Sequence, residues 1–273
     1  MKIAYFGFDF FVEALDAILG DGHNLVHVQT FDVDGKFINR NGQLVGLAER
    51  EGSPIAYGPV GVSILEGLRS AGCDVVLVMG FPFKIPVIEG LRMVNLHPTL
   101  LPQGRGPFPI PWLILHHPEY SGLTLHKVTE EMDRGAILVQ SAVPVTELEA
   151  LDSLCAKLQM KAVEILPTAL RNFDDLWKNA ADQGPGGTYW KASEADWQLP
   201  WEKGWSAVVR TARAFGAFES EAIIDGKAWS VTDATGWDAE HSFPPGFLVH
   251  RMAGDLVVAA RDGFVLLRNP TCE

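Results

Sequence analysis

Asn95 and His97 stand two residues apart at the end of the apolar run Met93-Val94-Asn95-Leu96-His97, and Pro98 follows at once. A spacing of two puts both side chains on one face of a strand. The proline stops that strand, so both lie at its carboxyl end, where open α/β sheets bind their ligands. Asp133 comes 36 residues after His97, in the polar turn Met132-Asp133-Arg134-Gly135 ahead of another apolar run. An amide donor, an imidazole and a carboxylate can together run an acyl transfer. The amide hydrogen-bonds an oxyanion. The imidazole donates to that oxygen or moves a proton, and the carboxylate orients the imidazole or takes a proton from an attacking amine. Each residue also has a plainer reading: Asn95 as a turn cap, His97 as a satisfied strand-end histidine, Asp133 as an Asx-turn residue.

Other chemistries lack their residues. Gly7 follows the first strand, but Phe6-Gly7-Phe8-Asp9-Phe10-Phe11 supplies neither GxGxxG nor GxxxxGK[ST], so no nucleotide-cradling loop is expected. No GxSxG elbow is present. His116, His117 and His126 could imitate a metal cluster, but exposed loop histidines are expected, and no metal. Glu130 and Glu131 share a turn with Asp133. Like-charge proximity gives Glu131 a means to raise the Asp133 pKa, but solvated charges are the usual outcome and the one expected.

The elements that must position these residues alternate. Ile3–Phe6, Leu25–Thr30, Val75–Met79, Val94–Leu96, Leu123–Val128 and Ile137–Pro144 read as strands. Phe11–Leu19, Gln43–Glu51, Ile64–Ala71 and Ile110–Leu115 read as helices. Continuous apolar runs such as VVLVM suit strands covered on both faces, and the alternation predicts a doubly wound α/β domain. Leu151–Arg171 is a long amphipathic helix pattern, and Ala180–Gly187 (AADQGPGG) a linker signal. Then come a helix at Trp205–Phe215 and short strands at Ala222–Ile224, Ala228–Val231, Gly246–His250, Leu256–Ala260 and Phe264–Leu267. Turn signals at Asp225-Gly226 and Asp262-Gly263 complete a small β-rich, barrel-like unit. Trp197, Trp201 and Trp205 have helical spacing, but Pro200 argues against one continuous helix.

Of 273 residues, 47% are hydrophobic and 21% charged, which excludes disordered and fibrous classes. The net charge of -12 argues against sequence-independent nucleic-acid binding. Residues 1–170 carry 12 basic and 19 acidic side chains and residues 171–273 carry 10 and 15, so neither part is basic. Seven of the eight Trp follow residue 171, which marks a change of domain; they read as core packing ahead of a stacking platform for a base or sugar. Apolar runs stay short of the roughly 18 residues of a membrane span. The N-terminal stretch, interrupted by Asp9, Glu13 and Asp16, reads as a strand and helix in place of a cleavable signal. Cys73, Cys155 and Cys272 are widely spaced, so neither a disulfide framework nor a zinc site is expected, and a reducing cytoplasm is the simplest compartment.

The segment Asn95-x-His97-Pro98-x-Leu100-Leu101-Pro102-x-x-Arg105-Gly106-x-x-Pro109-Ile110 resembles the signature of N10-formyltetrahydrofolate-dependent formyltransferases. Asp133-x-Gly135-x-Ile137-Leu138 resembles that family's second signature. Tyr189-x-Lys191, Asp196-Trp197, Phe215-Gly216-Ala217-Phe218 and Pro245-Gly246 are similar to the C-terminal domain of the branch that includes methionyl-tRNA and some sugar N-formyltransferases. The resemblance implies a Rossmann-like, mostly parallel sheet in a catalytic domain at 1–178, a linker at 179–187 and an OB-like barrel at 188–273. It implies Asn95, His97 and Asp133 as the catalytic trio, with no metal and no covalent nucleophile. Folate would lie against Met79, Gly80, Phe81 and Phe83, beside the turn Thr99, Leu100, Leu101 and Pro102, and near Glu130. Ile85 and Ile88 read as core. Arg105 and Gly106 would face the substrate, although Arg105 alone could equally be a surface charge.

Departures from the family pattern bear on the acceptor. Its tRNA-specific members carry a basic loop after the second strand, whereas Phe31–Gly42 here holds two acids and two bases. Gln103 stands where an arginine is common, and Pro107, Phe108 and Pro111 replace smaller or polar residues. The expected acceptor is therefore a small-molecule amine, such as an amino sugar nucleotide or an amino-acid-derived amine. A diphosphate on it would be met by Lys84, Arg105, Lys127 or Arg134. Alternatives are methionyl-tRNA, water in a 10-formyltetrahydrofolate hydrolase, or folate binding without turnover. Asn95 favours transfer, because some hydrolase-type relatives are apolar there. Neither membrane nor nucleic acid is an expected partner; a homodimer stays open.

Overall fold

A computed structural model describes residues 1–32, 40–191 and 193–272, with Glu194 described by its backbone alone. Most of the Phe31–Gly42 loop, at 33–39, lies outside the described residues.

The alternation read from the sequence holds. In order come β1 (Lys2–Gly7), α1 (Val12–Gly20), β2 (Asn24–Thr30), α2 (Gly42–Arg50), β3 (Ile55–Tyr57), α3 (Val62–Ser70), β4 (Val75–Met79) and β5 (Met93–His97). They are followed by α4 (Ile110–Leu115), β6 (Gly122–Lys127), β7 (Ile137–Ala142), α5 (Leu151–Arg171) and α6 (Phe173–Lys178). The seven strands form one sheet in the order β3-β2-β1-β4-β5-β6-β7. β1 to β5 pair in parallel, and β6 and β7 add an antiparallel edge. β4 is buried along its whole length, as a strand covered on both faces must be. The strand order reverses between β1 and β4, which puts a crevice at their carboxyl ends. Gly7 and Gly80 keep that crevice tight. A Cβ on Gly7 would lie 2.2 Å from the Met79 carbonyl oxygen, and one on Gly80, whose φ is +76°, would lie 2.4 Å from the Phe8 ring. On α5 the expected stripe is buried at Leu154, Leu158, Ala162 and Leu166, and the helix runs through Pro167.

The rest of the chain gives α7 (Glu194–Trp197), α8 (Trp205–Phe215), β8 (Ser220–Ile224), β9 (Lys227–Val231), β10 (Ala234–Asp238), β11 (Leu248–Met252), β12 (Asp255–Ala260), β13 (Gly263–Leu267) and β14 (Thr271–Cys272). Two antiparallel sheets, β10-β13-β12-β11 and β14-β9-β8, share a core of Val208, Ala222, Ile224, Val231, Val258 and Val265, with Trp205 and Trp229 packed against it. Core packing thus accounts for these tryptophans. Trp197, Trp201 and Trp205 fall on three separate elements, because the chain breaks at Pro200 and restarts α8 after Gly204 (φ +98°).

Some local expectations are corrected. Asp225-Gly226 is a turn with both φ positive, but the β12–β13 turn is Arg261-Asp262. Gly263 instead opens β13, where a Cβ would lie 2.1 Å from the Trp237 carbonyl oxygen, and Asp262 caps α8 by accepting from the Trp205 N–H at 2.9 Å. β3, β10 and β14 carry no alternating apolar pattern. β10 contains Gly236, whose missing side chain makes room for Trp205, 2.8 Å from where its Cβ would be.

The chain resolves into two compact units, neither of them one continuous stretch. The first comprises Met1–Pro109, Glu119–Pro144 and Cys155–Trp190; the second comprises Ile110–Pro118, Val145–Leu154 and Lys191–Glu273. The expected linker at 179–187 is bound to the first unit. Ala181 exchanges two backbone hydrogen bonds with Ile137 on β7, at 2.8 and 2.7 Å. Among the described residues, no helix is long and apolar enough to cross a membrane.

Candidate active site

The antiparallel pairing of β5 with β6 builds the site. Asn95 lies opposite His126 and His97 opposite Thr124, so two alternating pairs share one face. Asp133 enters from the turn between β6 and β7 in the left-handed region, at φ +55°, a conformation that Asp adopts more readily than most residues. Gly135 lets this turn approach β6, since a Cβ there would lie 1.8 Å from the Lys127 carbonyl oxygen.

The three expected catalytic residues come together. Asn95 Nδ2 is 3.3 Å from Asp133 Oδ1, and His97 Nδ1 is 3.6 Å from the same oxygen. The Gly106 N–H donates to Asp133 Oδ2 at 2.9 Å. His97 and Asp133 are buried, with relative exposures of 4% and 9%. Burial pushes the Asp133 carboxyl up, but His97, His126 and the Gly106 N–H outweigh it and hold the pKa at about 2. Glu131 is not among the causes, and its charge is solvated, as is usual for such a turn residue. The Glu131 side chain is exposed and turns to Arg134 at 3.5 Å. Burial pushes the His97 pKa down, against the opposing pull of Asp133. A neutral imidazole beside an ionised carboxylate follows at neutral pH.

Hydrogen-bond partners assign the tautomer of each histidine. His97 Nε2 is 2.8 Å from the Gly104 carbonyl, which can only accept, so Nε2 carries the proton and Nδ1 presents its lone pair. His97 Nδ1 and Asp133 Oδ1 are thus two acceptors facing one position, with the geometry to receive an N–H.

His126 is the residue that sequence reading misses. It is neither in a loop nor exposed: its relative exposure is 2%. Its Nδ1 donates to the Lys127 carbonyl at 2.9 Å, which leaves Nε2 to accept from Asn95 Nδ2 at 3.0 Å. His126 therefore turns the amide nitrogen of Asn95 toward the site. The signal was available: Thr124 and His126 alternate within a predicted strand, on one face. His116 and His117 belong to the second unit, His116 stacking on Trp112 with centroids 5.4 Å apart. Among the described residues, no three His, Cys, Asp or Glu side chains are arranged to hold a metal. His126→Leu keeps the volume but removes the acceptor. We expect kcat to fall about 10- to 100-fold through loss of orientation, with little change in the KM for the formyl donor, as measured by steady-state kinetics.

The expected folate residues fall into two groups. Met79 ends β4, buried. Phe81 and Phe83 form a ring cluster with Phe6 and Phe31, with centroid separations of 5.3 to 6.4 Å. Thr99, Leu100, Leu101 and Pro102 form the turn after β5. Thr124 Oγ1 pins that turn, accepting from the Leu101 N–H at 3.1 Å and donating to the Thr99 carbonyl at 2.6 Å. Ile85 is core, and Ile88 packs against it. Glu130 is exposed and pairs with Lys84 at 3.7 Å. Gly106 acts through its backbone N–H on Asp133. Arg105 is neither a surface charge nor directed outward: its side chain is buried and bound to Gln183.

A mostly parallel sheet that brings an amide and an imidazole at one strand end against a carboxylate from the β6–β7 turn has the architecture of an α/β group-transfer enzyme. Residues 61–170 match the family model described as formyl transferase. Over 295 aligned residues, 98% of this chain and 90% of the relative, the chain is 30% identical to a methionyl-tRNA formyltransferase from Parabacteroides distasonis. It also shares its fold with solved structures. One is HypX from Aquifex aeolicus in complex with tetrahydrofolic acid, with a TM-score of 0.71 and 20% identity, covering 98% of this chain and 43% of that one. Another is an N-formyltransferase from Helicobacter canadensis in complex with folinic acid and dTDP-3-aminofucose, with a TM-score of 0.67 and 15% identity, covering 100% and 99%. The chain belongs to the N10-formyltetrahydrofolate-dependent formyltransferase family and is a folate-dependent formyltransferase.

Proposed function

We propose that this enzyme moves the formyl group of N10-formyltetrahydrofolate to the amino group of a small-molecule acceptor, with Asn95, His97 and Asp133 as its catalytic residues. The observation that carries the chemistry is the pair of acceptors, His97 Nδ1 and Asp133 Oδ1, 3.6 Å apart in a buried site. The amine nitrogen forms a bond to the formyl carbon while Asn95 Nδ2 hydrogen-bonds the oxygen that gains charge. His97 Nδ1 takes the amine proton, and the ionised Asp133 stabilises the resulting imidazolium. The bond from the formyl carbon to folate N10 then breaks, and the proton held at His97 returns to N10. On the folate side we assign Met79, Gly80, Phe81 and Phe83, the turn Thr99 to Pro102, and Glu130. The ring cluster provides an apolar wall beside the left-handed Gly80.

The acceptor reading rests on charge. A chain of net charge -12 whose C-terminal part carries 10 basic and 15 acidic side chains lacks the phosphate-neutralising surface a tRNA needs. Arg105 is committed to Gln183, and Lys127 lies over the Trp177 ring at 4.5 Å. Among the described residues, Lys84 and Arg134 form ion pairs with exposed carboxylates, Glu130 and Glu131. Such pairs are weak, so these two stay available to an acceptor phosphate. The methionyl-tRNA reading is favoured by similarity to methionyl-tRNA formyltransferases, two of which align over 98% and 94% of this chain. The test follows tetrahydrofolate release from 10-formyltetrahydrofolate with nucleotide-linked amino sugars, amino acids and methionyl-tRNA. Release that depends on a small amine is the expected result. Salt-sensitive turnover with methionyl-tRNA alone would replace this reading with the second, and formate release without any amine would make the enzyme a hydrolase.

A further inference from the structure

The segment 181–190 does not behave as a linker. It is tied down at both ends. Ala181 pairs with Ile137 on β7. Further along, the Thr188 N–H donates to the Pro102 carbonyl at 3.2 Å, the Arg105 N–H to the Thr188 carbonyl at 3.0 Å, and the Trp190 N–H to the Arg105 carbonyl at 2.8 Å. Trp190 covers Gly104, whose missing Cβ would lie 2.4 Å from its ring. Between these anchors, Gln183 Nε2 donates to the carbonyls of Asp133 and Gly135, both at 2.8 Å. Its Oε1 accepts from Arg105 Nε at 3.1 Å and Nη2 at 2.8 Å. The orientation of the amide is fixed by chemistry: a guanidinium only donates and a carbonyl only accepts. Both N–H donors of Gln183 are used, and the Arg105 cation polarises the amide toward stronger donation.

We propose that Gln183 is a positioning residue for Asp133, braced by the buried Arg105. The proposal rests on the reading of Asp133 as catalytic. Asp133 sits at φ +55°. Gln183 clamps that backbone from one side through the Asp133 and Gly135 carbonyls. Gly106, next to Arg105 in the chain, grips the carboxylate from the other side. Arg105 and Gly106 thus hold Asp133 at two points, one through Gln183 and one directly. Loss of the clamp lets the left-handed turn relax, which moves Oδ1 away from His97.

The experiment compares wild type, Gln183→Ala, Gln183→Glu and Asp133→Asn, and combines each Gln183 variant with Asp133→Asn. Gln183→Glu keeps the shape and the Arg105 partner but replaces the two-donor nitrogen with oxygen. The acceptor is the amine giving the fastest tetrahydrofolate release in the panel above. Both Gln183 variants should lose kcat about 10- to 100-fold, the scale of a displacement of about 1 Å, with the 10-formyltetrahydrofolate KM within about 2-fold. In the Asp133→Asn background they should cost almost nothing more. On the protein alone, the NMR titration midpoint of the His97 imidazole should fall in Gln183→Ala, as it should in Asp133→Asn. Wild-type kcat in both Gln183 variants overturns the proposal. So do multiplying effects in the double variants, or a His97 midpoint that moves in Asp133→Asn but not in Gln183→Ala. Wild-type turnover in Asp133→Asn alone overturns the catalytic reading itself, and the positioning role falls with it.

Discussion

Asp133→Asn will lower kcat for formyl transfer by about 10²- to 10⁴-fold, the range expected when general base catalysis through His97 loses the carboxylate that stabilises its imidazolium. The substitution is nearly isosteric. An asparagine oxygen can still accept from the Gly106 N–H, and asparagine tolerates the left-handed backbone at this turn. The other position, Oδ1, changes from a charged acceptor into an N–H donor facing His97, His126 and Asn95. The imidazolium formed on His97 then has no counter-charge. Folate binding should change by less than about 3-fold, because the assigned folate residues do not bond to Asp133. Stopped-flow or steady-state measurement of tetrahydrofolate release checks both quantities, and wild-type kcat would remove Asp133 from the mechanism.

The same residue has a pH signature. Its pKa is depressed from 3.8 to about 2 in the folded state, so its ionised form contributes stability at pH values above 3.8. That contribution, on the order of 2 kcal/mol, is lost as pH falls from 3.8 through 2. The stability gap between wild type and Asp133→Asn should be constant above pH 4 and close below it in denaturant titrations. His97 has the opposite charge type but the same direction of loss. Its neutral form is favoured by burial, so its contribution is complete above its unfolded value of 6.5 and declines as pH falls through its lower folded pKa. Rates referred to unprotonated amine should therefore hold steady down to pH 6.5 and fall only below it.

Asn95→Ala will cost about 10²- to 10³-fold in kcat, the scale measured for deletion of a single oxyanion donor. Asn95 Nδ2 has two hydrogens. One is held by His126 Nε2 at 3.0 Å, and the other points toward Asp133 at the longer distance of 3.3 Å. The second is the one free to turn to the formyl oxygen as charge develops there. Alanine removes both, and it leaves His126 Nε2 without its donor. The loss should fall on kcat for transfer, with 10-formyltetrahydrofolate affinity close to wild type. A variant that kept kcat but raised the KM would show that Asn95 only binds.

Most of the framework was legible in the sequence because it is written in local periodicity. VVLVM at 75–79, the helix at Ile110–Leu115, the stripe of Leu151–Arg171 and the helix at Trp205–Phe215 match the structure at both ends. β3, β10 and β14 were not legible. They are short, and β10 owes its strand state to pairing with β13 and to the packing of Trp205 into the space at Gly236. The turn after β12 lies one residue earlier than its composition predicts, because Asp262-Gly263 has turn composition while Gly263 is needed for close approach inside the strand.

The sequence by itself determined where the proposed reacting groups lie in the chain. A period of two placed Asn95 and His97 on one face, Pro98 placed them at a strand end, and Gly135 marked the turn that carries Asp133. These are consequences of backbone geometry over a few residues, and they hold whatever else the chain does. Only the tertiary structure decided which groups surround them. His126 joins the site because β6 runs antiparallel to β5 in one register; a one-residue slip would turn it to the opposite face. Arg105 is buried, and Gln183 reaches Asp133 from 50 residues away, because the segment after α6 folds back onto the turn at 102–106. Pairing across long separations depends on the packing of the whole unit, and no spacing within the chain encodes it.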